Sequence, residues 1–158
     1  MRIRMNFGMA KTVIIALVIV FALALMGVDI AMLAGAPGVS TSMPAVAGVS
    51  LAASVVIAAA GVLLLVNSYY KFADDKLVIV LGIFKDVVPY ENVTAVRQNG
   101  ETREVYLFAK GKKIQDGETV IRFSVDKNKV DDVISAIQSS MPEMIIEVFT
   151  PESNEPKH

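Results

Sequence analysis

The chain has 158 residues, 54% of them apolar, and a formal charge of −1. That apolar content is too high for an ordinary soluble domain. The absence of cysteine rules out disulfides, thiolate zinc sites and thiol chemistry, and the only histidine, His158, ends the chain, which excludes a Ser-His-Asp mechanism inside any domain.

Residues 1–11 carry Arg2, Arg4 and Lys11 and no acid, and read as a basic cytoplasmic N-terminus. Between Lys11 and Lys71 the only charge is Asp29, so residues 12–66 read as a transmembrane hairpin. A helix over Thr12–Ala34 would be about 34 Å long, enough to span a bilayer with some tilt. Asp29, about 26 Å along that helix, is expected at the far headgroup level; its functional alternative is an intramembrane carboxylate on a proton or ion path. Residues 35–44, rich in Gly, Pro and Ser, form the loop, and residues 45–66 the second span. Ala24, Gly27, Ala31 and Ala34 on one helix, and Ala45, Gly48, Ala52 and Ala59 on the other, are candidate contact stripes. The basic start and the Ala34-Gly35-Ala36 sequence resemble a signal peptide, but the apolar stretch is too long and a proline would follow the cut. Basic residues before the first span and at Lys71 after the second place both termini in the cytoplasm.

Residues 67–149 form the folded domain. Tyr69–Phe72, Leu77–Leu81 and Val93–Val96 read as strands, separated by charged turns at Ala73–Lys76 and Lys85-Asp86. The continuous run Leu77–Leu81 suggests burial on both faces, Gly82 a bend, and Pro89 a strand start or an edge. Asn99-Gly100 marks a turn. Glu104–Ala109 and Thr119–Val125 are the next strands, joined by the polar stretch KGKKIQDGE. Asp126 is a candidate N-cap for a helix presenting Val130, Val133, Ile134 and Ile137, which Pro142 ends. Ile145–Phe149 is a last short strand, and residues 150–158 a disordered polar tail. Leu77, Ile79, Leu81, Leu107, Phe123, Val133, Ile134 and Ile137 are expected to form one core.

Tyr-Tyr-Lys-Phe, Leu77-Val78-Ile79, Gly82-Ile83-Phe84-Lys85, Val88-Pro89-Tyr90 and Val93 with Val96 resemble the prokaryotic PH-like (pleckstrin-homology-like) domain membrane proteins, the YyaB-like group among them. The likeness covers roughly residues 67 to 148, and the preceding two helices fit it. It implies a membrane helical hairpin plus an α+β domain, a bent antiparallel sheet closed by a C-terminal helix, and it brings no catalytic residues or cofactor.

From Lys71 onward 12 basic and 15 acidic residues leave a net charge of −3, so no basic footprint points to nucleic acid. Asp74-Asp75 and Asp131-Asp132 are adjacent rather than convergent, and no glycine spacing makes a phosphate loop. No enzyme is expected, and no cofactor or metal. The candidate contacts for a headgroup or partner are Lys110, Lys112 and Lys113, with Lys85 and Arg97. The first turn, Asp74-Asp75-Lys76, is acidic where lipid-binding PH domains are basic. The reading is therefore a membrane-anchored PH-like module displaying a cytoplasmic protein- or peptide-binding domain. The alternatives are a lipid-headgroup-binding domain at its own membrane, and a small transporter or channel subunit using Asp29. Two helices enclose a pathway only as a homo-oligomer.

Overall fold

The computed structural model describes residues 1–36, 38, 44–111 and 117–150. The chain divides into two compact units. One comprises Phe7–Ser68 with Leu81–Phe84; the other comprises Met1–Asn6, Tyr69–Val80 and the chain from Lys85 on.

The first unit is helical. After β1 (Arg2–Arg4), which belongs to the other unit, α1 runs Gly8–Leu33 and α2 Pro44–Val66, both long and apolar enough to cross a membrane. Their outward side chains are apolar all round, as at Val13, Leu17, Phe21 and Val56, the pattern of a helix whose solvent is not water. The pair is antiparallel: Gly61 of α2 meets Ile15 and Ile19 of α1, while Ser54 and Ile57 lie beside Ala22 and Leu25. A Cβ at Gly61 would stand 2.7 Å from Ile19 Cγ1, so this glycine permits the close approach.

The expected small-residue stripes are not the contact face. Ala24, Gly27, Ala34, Ala45, Ala52 and Ala59 face outward, and space is open around Gly27 and Gly48. The buried small residues are instead Ala22 on α1 and Ala47, Ser54, Ala58 and Gly61 on α2. Where every face is apolar and alanine abounds, spacing does not distinguish one stripe from another. Asp29, expected at the far headgroup level, is buried in the helical unit, and its Oδ2 finds no hydrogen-bond partner among the described residues. Most of the 35–44 loop lies outside the described residues.

The second unit is built on two four-stranded sheets. β2 (Ser68–Phe72), β3 (Lys76–Leu81) and β4 (Phe84–Pro89) join β1 in the order β1-β2-β3-β4. The basic N-terminal segment thus becomes part of the domain: Arg2, Ile3 and Arg4 pair antiparallel with Lys71, Tyr70 and Tyr69, and the Phe72 amide donates to the Met1 carbonyl at 2.8 Å. Ile3 and Met5 are buried. Their alternation with Arg2, Arg4 and Asn6 is that of a half-buried strand, but three residues are too few to stand out of a basic leader. The turn between β3 and β4 is Gly82-Ile83, with Gly82 at φ +63°. Lys85 and Asp86, expected as that turn, lie within β4. A positive φ at the first position of a two-residue hairpin suits glycine, and the turn forms there rather than at the charged pair. Pro89 closes β4, an edge strand, where its missing donor costs nothing.

After a 3-10 turn at Tyr90–Asn92, β5 (Val93–Asn99), β6 (Val105–Lys110) and β7 (Glu118–Arg122) form the second sheet with β8 (Ile146–Phe149), in the order β7-β6-β5-β8. β8 is parallel to β5, Val96 opposite Ile146, so this sheet is mixed rather than wholly antiparallel. Asn99 Oδ1 accepts from the Glu101 and Thr102 amides and folds the turn after β5. Asp126 caps a 3-10 turn, accepting from the Asn128 amide at 3.1 Å, and α3 (Val130–Ser140) follows. The acids Asp131 and Asp132 in its first turn complement the positive end of the helix dipole.

Leu77, Val96, Val105, Leu107, Val133 and Ile137 are essentially fully buried, with Phe123 against Tyr70 at 4.8 Å between ring centroids. Three expected core residues differ: Leu81 is 37% exposed, and Ile79 and Ile134 are only half-buried. α3 turns Ala136 inward in place of Ile134. Leu81 sits at the hairpin tip and packs with the helical unit.

Candidate functional site

The second sheet turns one face inward and leaves the other open. Along β6, Val105, Leu107 and Ala109 are buried, so Tyr106, Phe108 and Lys110 share the outer face. Register adds the neighbours: Phe108 stands opposite Val120, Tyr106 opposite Arg122 and Arg97, and Arg97 opposite Glu147. Arg97, Tyr106, Phe108, Val120 and Glu147, with Val148 and Phe149, line an open groove of about 690 Å³ with an aromatic and aliphatic floor. Val120 is 52% exposed and Val148, at the sheet edge, 67%.

The polar groups around this floor already have partners. Arg97 Nε donates to Glu147 Oε2 at 2.9 Å, and its guanidinium lies 5.1 Å from the Phe108 ring centroid. Arg122 pairs with Glu104, which also accepts from the Tyr106 hydroxyl at 2.5 Å. That hydrogen bond, more than burial, holds the Tyr106 phenol above its ordinary range, with the Glu104 charge adding and Arg122 opposing. Thr94 donates to Glu118 at 2.6 Å, where the strand pair continues to Lys110. These pairs are solvent-exposed, worth at most about 1 kcal/mol each, so their effect is on surface character rather than stability. The face is apolar at its centre and electrically balanced at its rim.

The expected contact residues do not converge. Arg97 is engaged with Glu147 and Phe108 in the groove. Lys110 is exposed at the end of β6 and also borders a separate cleft of about 260 Å³, where Asp86, Pro89 and Asn92 are its polar and apolar company. Lys85 is exposed on β4, in the other sheet. Lys112 and Lys113 lie outside the described residues. Tyr106, Phe108, Val120 and Phe149 were not singled out from the sequence. The alternation in Val105–Lys110 carried the signal for the first two; Val120 and Phe149 join them only through pairing.

A further hollow of about 480 Å³ gathers Ser135, Ser139 and Ser140 with Asp74. The Ser139 hydroxyl donates to the Ser135 carbonyl at 2.7 Å, a bond within the helix, which gives it no nucleophilic activation. Comparison with family models, curated proteins and solved structures gives no match.

Proposed function

We propose that the chain is a membrane-anchored interaction module whose PH-like β domain binds a protein segment on the outer face of its second sheet. The carrying observation is the groove over Phe108, Tyr106, Val120 and Phe149, in which the lining Arg97 is paired with Glu147, while Arg122 on the neighbouring strand is paired with Glu104. An anionic headgroup gains little from cations so committed, whereas an extended peptide with apolar side chains covers such a floor and meets paired charges at its rim. Among the described residues β7 and β8 are the edge strands of this sheet, the places where an extended segment could add to it. The PH-like reading is supported by two sheets followed by a helix; β1 and the parallel β8 depart from a single bent antiparallel sheet.

A cytoplasmic domain is supported by Arg2, Arg4, Lys11 and Lys71 flanking the two helices. The pairing of β1, before the first helix, with β2, after the second, supports a two-span hairpin that returns to the side from which it entered.

The test places a photo-crosslinking amino acid at Val120 or Val148 of the full chain in native membranes. The expected outcome is a discrete protein adduct at both positions, lost on Phe108→Asp. Adducts with lipid alone would refute the reading. So would strong, salt-sensitive binding of the reconstituted domain to anionic vesicles abolished by Lys110/Lys112/Lys113→Ala, which is the outcome of a headgroup site.

A further inference from the structure

The Gly82-Ile83 turn packs as part of the helical unit, apart from the rest of its own strands. Three hydrogen bonds fasten it to the two residues that follow α2. Asn67 Nδ2 donates to the Gly82 carbonyl at 2.8 Å, and the Gly82 amide is within 3.2 Å of both the Asn67 carbonyl and Ser68 Oγ. Ser68 Oγ in turn donates to the Leu64 carbonyl at 2.6 Å. A Cβ at Gly82 would stand 3.3 Å from the Leu64 nitrogen, so the turn lies against the helix backbone itself.

This contact fixes the level of the turn. It meets α2 at Leu63 and Leu64, two to three residues before the helix ends at Val66. A helix of 23 residues rises about 34 Å, against about 30 Å of bilayer hydrocarbon. The turn therefore sits near the hydrocarbon boundary, about 3–5 Å inward of the helix end. At that level the protein presents Ile83, 68% exposed, and Phe84, 69% exposed, and the last turns of α2 also leave Val62 and Val66 outward. In water two neighbouring apolar side chains at a hairpin tip are unfavourable. Here they extend an apolar surface that α2 already offers to lipid. Lys85 follows directly in the chain, its long stem suited to reach from that boundary to the headgroups.

We propose that the β3–β4 turn is an interfacial membrane wedge: Ile83 and Phe84 insert at the junction of headgroups and acyl chains and fasten the β domain's first sheet to the bilayer. The inference rests on the membrane-spanning reading of the two helices, and the experiment separates the two.

The chain contains neither cysteine nor tryptophan, so single reporters are unambiguous. The full chain is reconstituted in vesicles as Ile83→Cys, Phe84→Cys, Val56→Cys or Asp74→Cys and labelled with an environment-sensitive nitrobenzoxadiazole probe. Val56 is outward at the middle of α2, and Asp74 is exposed in the turn at the opposite end of β3. The expected result is a graded series. The Val56 probe is quenched most by nitroxides deep in the acyl chains. The Ile83 and Phe84 probes are blue-shifted and quenched most by shallow nitroxides. The Asp74 probe is reached by aqueous iodide alone. Ile83 and Phe84 probes that behave like Asp74, with Val56 quenched as expected, overturn the wedge and leave the spanning helices standing. A Val56 probe open to iodide overturns both. Ile83→Trp read with brominated lipids repeats the measurement without a label, and its failure to quench would likewise sink the wedge.

Discussion

Ile3 tests whether the first residues of the chain belong to the β domain. It is 4% exposed, pairs with Tyr70, and sits beside the ring cluster of Tyr70, Phe72 and Phe123. Ile3→Ala removes three carbons, which at about 0.8 kcal/mol each is a loss of about 2.4 kcal/mol in transfer free energy. The cavity term adds little, because β1 is a three-residue edge strand able to settle inward, so the total stays near the lower end of the roughly 2–5 kcal/mol seen for such truncations. Ile3→Val, one carbon smaller, is expected to cost about 0.8 kcal/mol. The assay is hydrogen exchange of the β2 amides in the full chain in nanodiscs, with Phe72, bonded to the Met1 carbonyl, as the reporter. Where exchange proceeds through opening of the sheet, Ile3→Ala accelerates it by roughly 50-fold. A loss below about 0.5 kcal/mol, the scale of an ordinary surface substitution, refutes the assignment. So does a fragment of residues 68–150 that is as stable as the intact domain without β1.

Gly61→Leu is expected to separate α1 from α2, read as loss of cross-linking between cysteines placed on the two helices, while Gly27→Ala and Gly48→Ala, with open space around them, leave it unchanged. In the β domain, Ile137→Ala should cost about 2–5 kcal/mol in urea unfolding, and Ile134→Ala clearly less, because Ile137 is fully buried and Ile134 is not; equal costs would refute the orientation given for α3. Tyr70, pushed up by burial against a weaker opposing bond from the Ser124 amide, and Tyr90 and Tyr106 all titrate above the ordinary tyrosine range. Their folded pKa values exceed the unfolded value of about 10, so the stability they add is complete below that pH and is lost as pH rises through the raised values. Urea unfolding across that window should show stability falling with alkalinity, and a flat profile would count against the burial of Tyr70.

Features that depend on neighbours along the chain were legible in the residues alone. Uncharged runs marked both helices, and Asn99-Gly100 and Pro142 set a turn and a stop, because each acts within a few residues of itself; Asp126, expected to cap α3, caps the 3-10 turn before it instead, and Lys129 stands at the start of α3. The apolar spacing of Val130, Val133, Ile134 and Ile137 put three of the four on the core, while Ile134 stays half-buried and Ala136 takes its place. Features that depend on pairing across distance emerged only once the chain was folded. β1 is recognised as a strand only when β2, some 65 positions away, satisfies its backbone. The helix contact face could not be read, since small residues occur on every side and only Gly61 against Ile19 selects one. The groove needed four strands: Tyr106 and Phe108 alternate visibly along β6, but Val120, Arg97, Glu147 and Phe149 reach them through register, and register is a property of strands brought together rather than of any one of them.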